Sequence, residues 1–297
     1  MLGFIPLNKP SGLTSHDCVA KVRRLLKFKK VGHGGTLDPS ATGVLPIAVG
    51  KATRLLAFLP ENKAYHGKIR LGMQTTTDDL EGEVIHTQPA PNLKLEDIQP
   101  LLNQFIGIIE QIPPAYSAIQ RDGKRLYELA RKGEIVDVPM RTVEISKIKI
   151  LAWYPGKFPE LDVEIHCGPG TYIRAIARDL GTKLKIGGTL AGLKRTESCG
   201  MVLSETITLE ELNKQVEQGT FSLLKPELLL QHLPSIILSL EEGKRWCHGQ
   251  KIPYNSVDTA SLPQTATVSN EAGTFLGIAN FKAENHSQLL IPKVVIN

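Results

Sequence analysis

VGHGGTLDPSATGVLP, running from Val31 to Pro46, is where the reading of this chain turns. Between Lys30 and Lys51 a single side chain is formally charged, that of Asp38. Glycines, small hydroxyl residues, prolines and His33 surround it. Two readings compete. Asp before Pro is a common turn or helix start, with the aspartate as N-cap and the proline at the first helical position. A glycine-rich loop also lets backbone come close to a ligand, and a lone carboxylate there would meet it. The flanking sequence has to decide.

Upstream, Ser15–Phe28 reads as an amphipathic helix with Ser15 as N-cap. Cys18, Val19, Val22, Leu25 and Leu26 recur at helical spacing, and Lys21, Arg24 and Lys27 lie three apart on another face. Downstream, 64–71 alternates, with Tyr65, Gly67, Ile69 and Leu71 on one side, as a half-buried strand does. A second alternating run covers 161–167 and is followed by the turn Gly168-Pro169-Gly170. Thr171 then reads as the cap of a helix whose stripe is Ile173, Ile176, Ala177, Leu180 and Leu184. Thr208-Leu209-Glu210-Glu211 is a capping-box pattern, with Gly219 as its stop. After about Pro234, short β-type runs (235–240, 265–269, 274–281, 289–296) alternate with polar turns and predict a small β-rich domain of 65 residues, 233–297, behind a larger one over 1–232. Strands and helices without regular βαβ alternation predict an α+β fold.

At 297 residues, 41% hydrophobic and 22% charged, the chain can bury a sizeable core. No apolar run approaches the ~18 residues of a membrane helix, and MLGFIPLNK has no signal-peptide pattern; a cytoplasmic protein without a membrane partner is expected. Cys18, Cys167, Cys199 and Cys247 form no CxxC pair, which argues against a disulfide framework and against a metal site. The net charge of +5 is mild, but its distribution is not. Lys21, Arg23, Arg24, Lys27, Lys29 and Lys30 crowd into ten residues, and a second basic cluster runs from Arg121 to Arg141. Two such clusters point to a polyanionic partner. Within the second, IQRDGKRLYELARKG (119–133) reads as a surface helix or as one that tracks phosphates.

Arg174 is a further anomaly. In the first turn of a helix a cation opposes the macrodipole, at a cost of roughly 0.3–1 kcal/mol, and a capping box would place Glu or Gln there. An arginine calls for an anionic partner from the fold or from a ligand, unless it is simply exposed. Tyr65 reads as a core tyrosine with a hydrogen-bonded hydroxyl, and Tyr172 as a flat platform beside Arg174.

Taken together, the motifs resemble the pseudouridine synthases that modify uridine 55 of bacterial tRNA, a group that also includes the dyskerin-type enzymes. Asn8-Lys9-Pro10-Ser11-Gly12-Leu13-Thr14-Ser15 resembles the family's NKPxGxTS, and Gly32 to Gly43 its GHxGTLDPxATG. Lys63-Ala64-Tyr65 with Leu71-Gly72 is similar to KxY…LG, Gly170-Thr171-Tyr172-Ile173-Arg174 to GTYIR, and Leu193-Lys194-Arg195 to LRR. Ala115-Tyr116-Ser117-Ala118 and the segment Gly123 to Gly133 follow its basic insertion, about 115–141. Each alone is weak; six in order are specific. Gly249–Ile252 and Phe275–Ala279 resemble the attached PUA-like barrel more loosely. Gly168-Pro169, Lys194 and Thr76 depart from the pattern, none of them at Asp38, Tyr65 or Arg174.

The resemblance implies a mixed, largely antiparallel central sheet flanked by helices, and isomerisation of a uridine in the T stem-loop of tRNA with no cofactor. It implies that Asp38 is the nucleophile, paired with Arg174, and that the route runs through attack on C1′, through a glycal or through attack on C6. It implies that Tyr65 stacks on the flipped uracil, that Leu193 packs under the ring, that Tyr172 lines the pocket and that Lys9 and Pro10 support Tyr65 from behind. His33 would enter the RNA loop, and Lys124, Arg131 and the basic helix would neutralise phosphates. Glycines of the Asp38 loop would let backbone approach the RNA. A monomer is expected. Two other readings stay open: a non-catalytic tRNA-binding or folding protein on the same scaffold, and a glycosidase-like hydrolase, which needs a second carboxylate.

Overall fold

The computed structural model describes residues 1–116, 120–121, 124–125, 138–254, 264–284 and 287–296. Its main sheet is built from β1 (Leu2–Lys9), β2 (Val31–His33), β3 (Thr42–Gly50), β4 (Lys63–Leu71), β7 (Gly107–Gln111), β10 (Arg141–Tyr154), β11 (Glu160–Cys167), β12 (Gly188–Ser198) and β13 (Met201–Val202). The order is β1-β3-β12-β4-β11-β10-β7, with β2 on β3 and β13 on β12. Only β3 and β12 pair in parallel, so the sheet is mixed and largely antiparallel, as expected. The short strands β5 (Met73–Thr75) and β6 (Val84–Thr87) form a separate ladder, as do β8 (Gln120–Arg121) and β9 (Lys124–Arg125).

Sequence patterns account for the layers. In β11, Leu161, Val163, Ile165 and Cys167 are buried and the intervening residues are not; the period of two gives the strand one core face. The same face of the sheet receives α2 (Leu95–Asn103) and α3 (Ile173–Lys183), through Ile98, Leu102, Ile173, Ile176, Ala177 and Leu180. In β3, TGVLPIAVG, all residues after Thr42 are buried, which is how a strand covered on both faces reads. Its one side packs with β1 on α1 (Ser15–Leu25) and α4 (Leu209–Glu217), through Ile5, Leu7, Val19, Val22, Leu45, Ile47 and Leu212. Thr208 and Glu211 cap α4 reciprocally, as the sequence predicts.

A short helix α5 (Pro226–Leu229) precedes the second sheet. That sheet holds β14 (Ser235–Leu238), β15 (Ile252–Tyr254), β16 (Thr265–Asn270), β17 (Phe275–Glu284) and β18 (Ser287–Val295), in the order β14-β16-β17-β18-β15. Phe275, Ile278, Val294 and Ile296 share a core with Phe4, Val44 and Ala48 of the main sheet. The expected run 235–240 breaks at Leu238, because Ser239 and Glu242 form a capping box that starts α6 (Leu240–Cys247).

Two helix starts are shifted from their expected residues. Thr14, not Ser15, caps α1, in a capping box with Asp17. The helix stops at Leu25, short of Phe28, and Lys27 is left-handed (φ 49°). Tyr172, not Thr171, is the N-cap of α3; the Thr171 hydroxyl instead donates to the Gly168 carbonyl (3.2 Å). The helix expected over 119–133 does not hold at 120–121 and 124–125, where Gln120 pairs with Arg125 and Arg121 with Lys124. The rest of that stretch, Arg131 included, lies outside the described residues, as does the Lys124 side chain. Among the described residues no helix is long and apolar enough to cross a membrane.

Candidate active site

Asp38 sits on the turn Asp38–Ala41, closed by the Ala41 N–H on the Asp38 carbonyl (3.1 Å). The turn reading of Asp-Pro is therefore correct, but the turn is not left to itself. The 9–15 segment grips it from below. The Lys9 ammonium donates to the carbonyls of Pro10 (2.9 Å), Pro39 (3.0 Å) and Ala41 (2.6 Å), and so uses all three of its protons. The Gly12 N–H donates to Pro39 O (2.9 Å) and the Ser11 hydroxyl to Ser40 O (3.2 Å). Ser15 accepts from the Leu37 N–H (2.9 Å) and donates to the Leu37 carbonyl (3.2 Å). The hydroxyl that the sequence offers as a helix cap is thus spent on the residue before Asp38.

Lys9 is fully buried, and burial pushes its ammonium below the ordinary lysine range. Buried as it is, it cannot touch a ligand, and its hydrogen bonds go to the Asp38 loop and its own neighbour Pro10, none to Tyr65, which the resemblance has it supporting. Its shape of action gives a test. Lys9→Met orphans carbonyl oxygens on both sides of the turn, and buried hydrogen bonds to a charged group contribute roughly 1.5–3 kcal/mol each before the desolvation of that charge is subtracted. A net loss of about 2 kcal/mol is expected in urea unfolding of Lys9→Met, with the slope unchanged.

Glycines in the Asp38 loop face the protein. A Cβ on Gly43 (φ +101°) would stand 2.1 Å from the Arg195 carbonyl, and one on Gly34 would stand 3.0 Å from the Cys199 sulfur. These residues let the loop press against β12 and its C-terminal turn, where the sequence reading had them approaching RNA.

Arg174 occupies the first turn of α3 and is buried, with its side chain 7% exposed. Its Nη2 meets Asp38 Oδ2 (3.1 Å) and the Tyr116 carbonyl (3.0 Å), and its Nη1 meets the Thr77 carbonyl (3.1 Å) and Asp79 Oδ2 (3.4 Å). The fold therefore supplies the anions that an arginine in this position requires. Asp38 is the more open partner, its side chain 38% exposed against 12% for Asp79. Asp79 also accepts from the Thr77 hydroxyl (2.5 Å) and the Glu81 N–H (3.1 Å). It is a second carboxylate at the site, but one locked as an anchor of Arg174, without the freedom of an acid/base. Asp179, on the same helix as Arg174, pairs with Arg178 (2.8 Å).

Asp38, Tyr65, Tyr172, Arg174 and Leu193 line one cavity of about 200 Å³, together with Lys63, Arg195 and the 170–171 backbone. Tyr65 comes from the inward face of β4 and is 7% exposed. Burial pushes its phenol up, against the pull of Arg195, so it remains a hydroxyl. Gln111 holds Tyr172 by both backbone groups, accepting from its N–H (2.8 Å) and donating to its carbonyl (3.1 Å). Arg195, buried, donates to Val44 O (2.8 Å), Gly35 O (3.2 Å) and Thr36 O (3.3 Å) and ties the Asp38 loop to β12. His33 is not in the cavity lining. It lies on β2, its ring edge-on to His16 at 5.2 Å, and burial followed by His16 pushes its imidazole down. Asp79, Gln111 and Arg195 were given no role by the sequence, and Ser15 only that of a helix cap. Only Arg195 carried a signal, since it falls in register with Leu193 on an inward face of β12.

Comparisons with known proteins agree with this architecture. A model of the TruB family pseudouridylate synthase N-terminal domain matches residues 23–173, and one described as Pseudouridine synthase II TruB, C-terminal, matches residues 234–296. A protein of Gloeothece citriformis named tRNA pseudouridine synthase B is 61% identical over 100% of this chain and 98% of its own length. One of the same name from Synechocystis sp. is 51% identical over the whole of both chains. A solved H/ACA RNP bound to a substrate RNA containing 2′-deoxyuridine contains a chain with the same fold, at a TM-score of 0.74 and 22% identity, covering 99% of this chain and 85% of that one. With the family models and full-length relatives in agreement, the chain belongs to the TruB family of pseudouridine synthases.

Proposed function

We propose that the protein converts uridine 55 in the T stem-loop of tRNA to pseudouridine, with Asp38 as the nucleophile. The observation that carries this reading is the Asp38–Arg174 ion pair at a cavity bounded by Tyr65, Tyr172 and Leu193. At about 200 Å³ the cavity is smaller than the ~300 Å³ of a drug-sized pocket and suits one extruded nucleotide. Arg174 aims the carboxylate, and the ring of Tyr65 and the side chain of Leu193 take the two sides of the uracil. The reaction is an isomerisation: the bond from C1′ to N1 breaks, one to C5 forms, and the C5 proton is lost as N1 gains one. It consumes no redox equivalent, energy source or cofactor.

His33 enters the T-loop to hold the base out, and the basic insertion with Lys124 and Arg131 neutralises phosphates, as does the exposed Lys21–Arg24 face of α1. Residues 1–232 form the catalytic domain and 233–297 a PUA-like RNA-binding domain. The enzyme acts as a monomer in the cytoplasm, where its tRNA substrate is. The test is tritium release from C5-labelled tRNA transcripts. Release is expected from the natural transcript, and one label equivalent fewer from a transcript with uridine 55 replaced by cytidine. Equal release from both would place the reaction at another uridine.

A further inference from the structure

Lys63 opens β4 two residues before Tyr65, and the period of two sends both side chains to the same face. Both line the cavity with Asp38. Among the described residues three cations line the cavity, and they are used differently. Arg174 is paired with two carboxylates, and Arg195 is spent on three backbone carbonyls. Lys63, half-buried, has no carboxylate within ion-pair distance and no hydrogen bond among the described residues. Glu61 acts on it only weakly, and burial followed by Arg195 pushes its ammonium below the ordinary lysine range. An ammonium that gives up water and receives no anion in return is costly unless a ligand supplies the partner.

We propose that Lys63 donates a hydrogen bond to a carbonyl oxygen of the uracil and stabilises the negative charge that the base takes on during the reaction. This rests on the cavity beside Asp38 being the uridine site. When Asp38 attacks C1′, a bond forms from its carboxylate oxygen to C1′, and the pair of the C1′–N1 bond leaves with N1 and spreads onto O2 and O4. If the C1′–N1 bond breaks by elimination to a glycal, Asp38 takes the C2′ proton, the C2′–H pair forms the C1′=C2′ bond, and the base departs with the same N1 pair. If Asp38 instead attacks C6, the displaced π pair moves to C5 and O4. In each case a carbonyl oxygen becomes more negative than in the bound uridine. A donor placed there acts on the transition state more than on the ground state, and so on rate more than on binding.

Single-turnover rates and tRNA affinities of Lys63→Met and Lys63→Arg test this, on transcripts carrying uridine, 2-thiouridine or 4-thiouridine at the target position. Lys63→Met is expected to slow the chemical step by about 10- to 100-fold, the loss of one charge-assisted hydrogen bond, with tRNA affinity within about threefold. Lys63→Arg should recover part of the rate. Sulfur is the weaker acceptor, so one of the two thio-substitutions should slow the wild-type enzyme and lose that penalty in Lys63→Met. A Lys63→Met rate within threefold of wild type, a loss confined to affinity, or a thio penalty undiminished in the variant would overturn the proposal. Asp38→Asn run alongside separates the two readings. An active Asp38→Asn would remove the cavity as the uridine site, whereas an inert one beside an unimpaired Lys63→Met removes only the role of Lys63.

Discussion

Asp38→Asn is expected to fold, to bind tRNA and to show no measurable turnover. The side chains are nearly isosteric, and the position is 38% exposed on a turn held by backbone groups and by Lys9. Arg174 keeps Asp79 and the carbonyls of Thr77 and Tyr116 when the Asp38 charge is lost, so no buried cation is stranded. The stability change should stay at about 1 kcal/mol or less, as for other partly exposed ion pairs. Chemistry has no such substitute. An amide oxygen carries no formal charge to give to C1′ or C6, and if Asp38 is the nucleophile proposed above, its removal from a constellation that acts as a unit costs on the order of 10⁴-fold or more in rate. Tritium release over hours, filter binding and a thermal melt report the three parts separately. Asp38→Ala guards against slow deamidation restoring the acid: residual release in Asn but not in Ala is contamination by aspartate. Turnover within tenfold of wild type in both would remove Asp38 from the chemistry.

What the sequence made legible, and what it hid, divides along chain distance. The strand of Leu161, Val163, Ile165 and Cys167 and the helical stripe of Ile173, Ile176, Ala177 and Leu180 are local periodicities, and both stand in the fold. So do the cavity positions of Tyr65, Tyr172, Arg174 and Leu193, carried by motif position. Helix starts slipped by one residue where two candidates adjoined. Thr14 and Ser15 are equivalent as caps in sequence, and what separates them is Leu37, which claims Ser15 from 22 residues away. Lys9 reads as a polar residue ending a strand. Its burial follows from the β1–β3 pairing, which sets Lys9 opposite Gly43 and beneath the turn that holds Pro39 and Ala41, 30 and 32 residues on. Asp79 and Gln111 showed no local sign at all, because one acts on Arg174 and the other on Tyr172 only once β5, β7 and α3 have assembled. The cap of α3 is a case in point: no side chain near it in sequence satisfies the Tyr172 backbone, and a glutamine 61 residues earlier does.

Arg174→Met is expected to damage stability and rate together, and Arg174→Lys to repair neither fully. The guanidinium is 7% exposed and reaches four oxygens on three separate segments: Asp38, Tyr116, and Thr77 with Asp79. Methionine fills much of the volume but leaves Asp79 without its cation. Removing one partner of a buried pair costs roughly 3–5 kcal/mol; the Thr77 hydroxyl and the Glu81 N–H still hold Asp79, so about 3 kcal/mol is the expected loss in urea unfolding. Asp38 loses its aim as well, and a misplaced reacting group costs on the order of 10²-fold or more in rate. Lysine restores a charge but presents one nitrogen where the arginine's planar fork serves both carboxylates. The two losses have different origins, and a second substitution separates them. In Arg174→Met, changing Asp79 to Asn removes the stranded charge and should return most of the stability. Turnover should stay low, because Asp38 remains unpaired. If Asp79→Asn restored activity along with stability, Arg174 would serve the fold alone, and the orientation of Asp38 would have to come from the backbone of its turn.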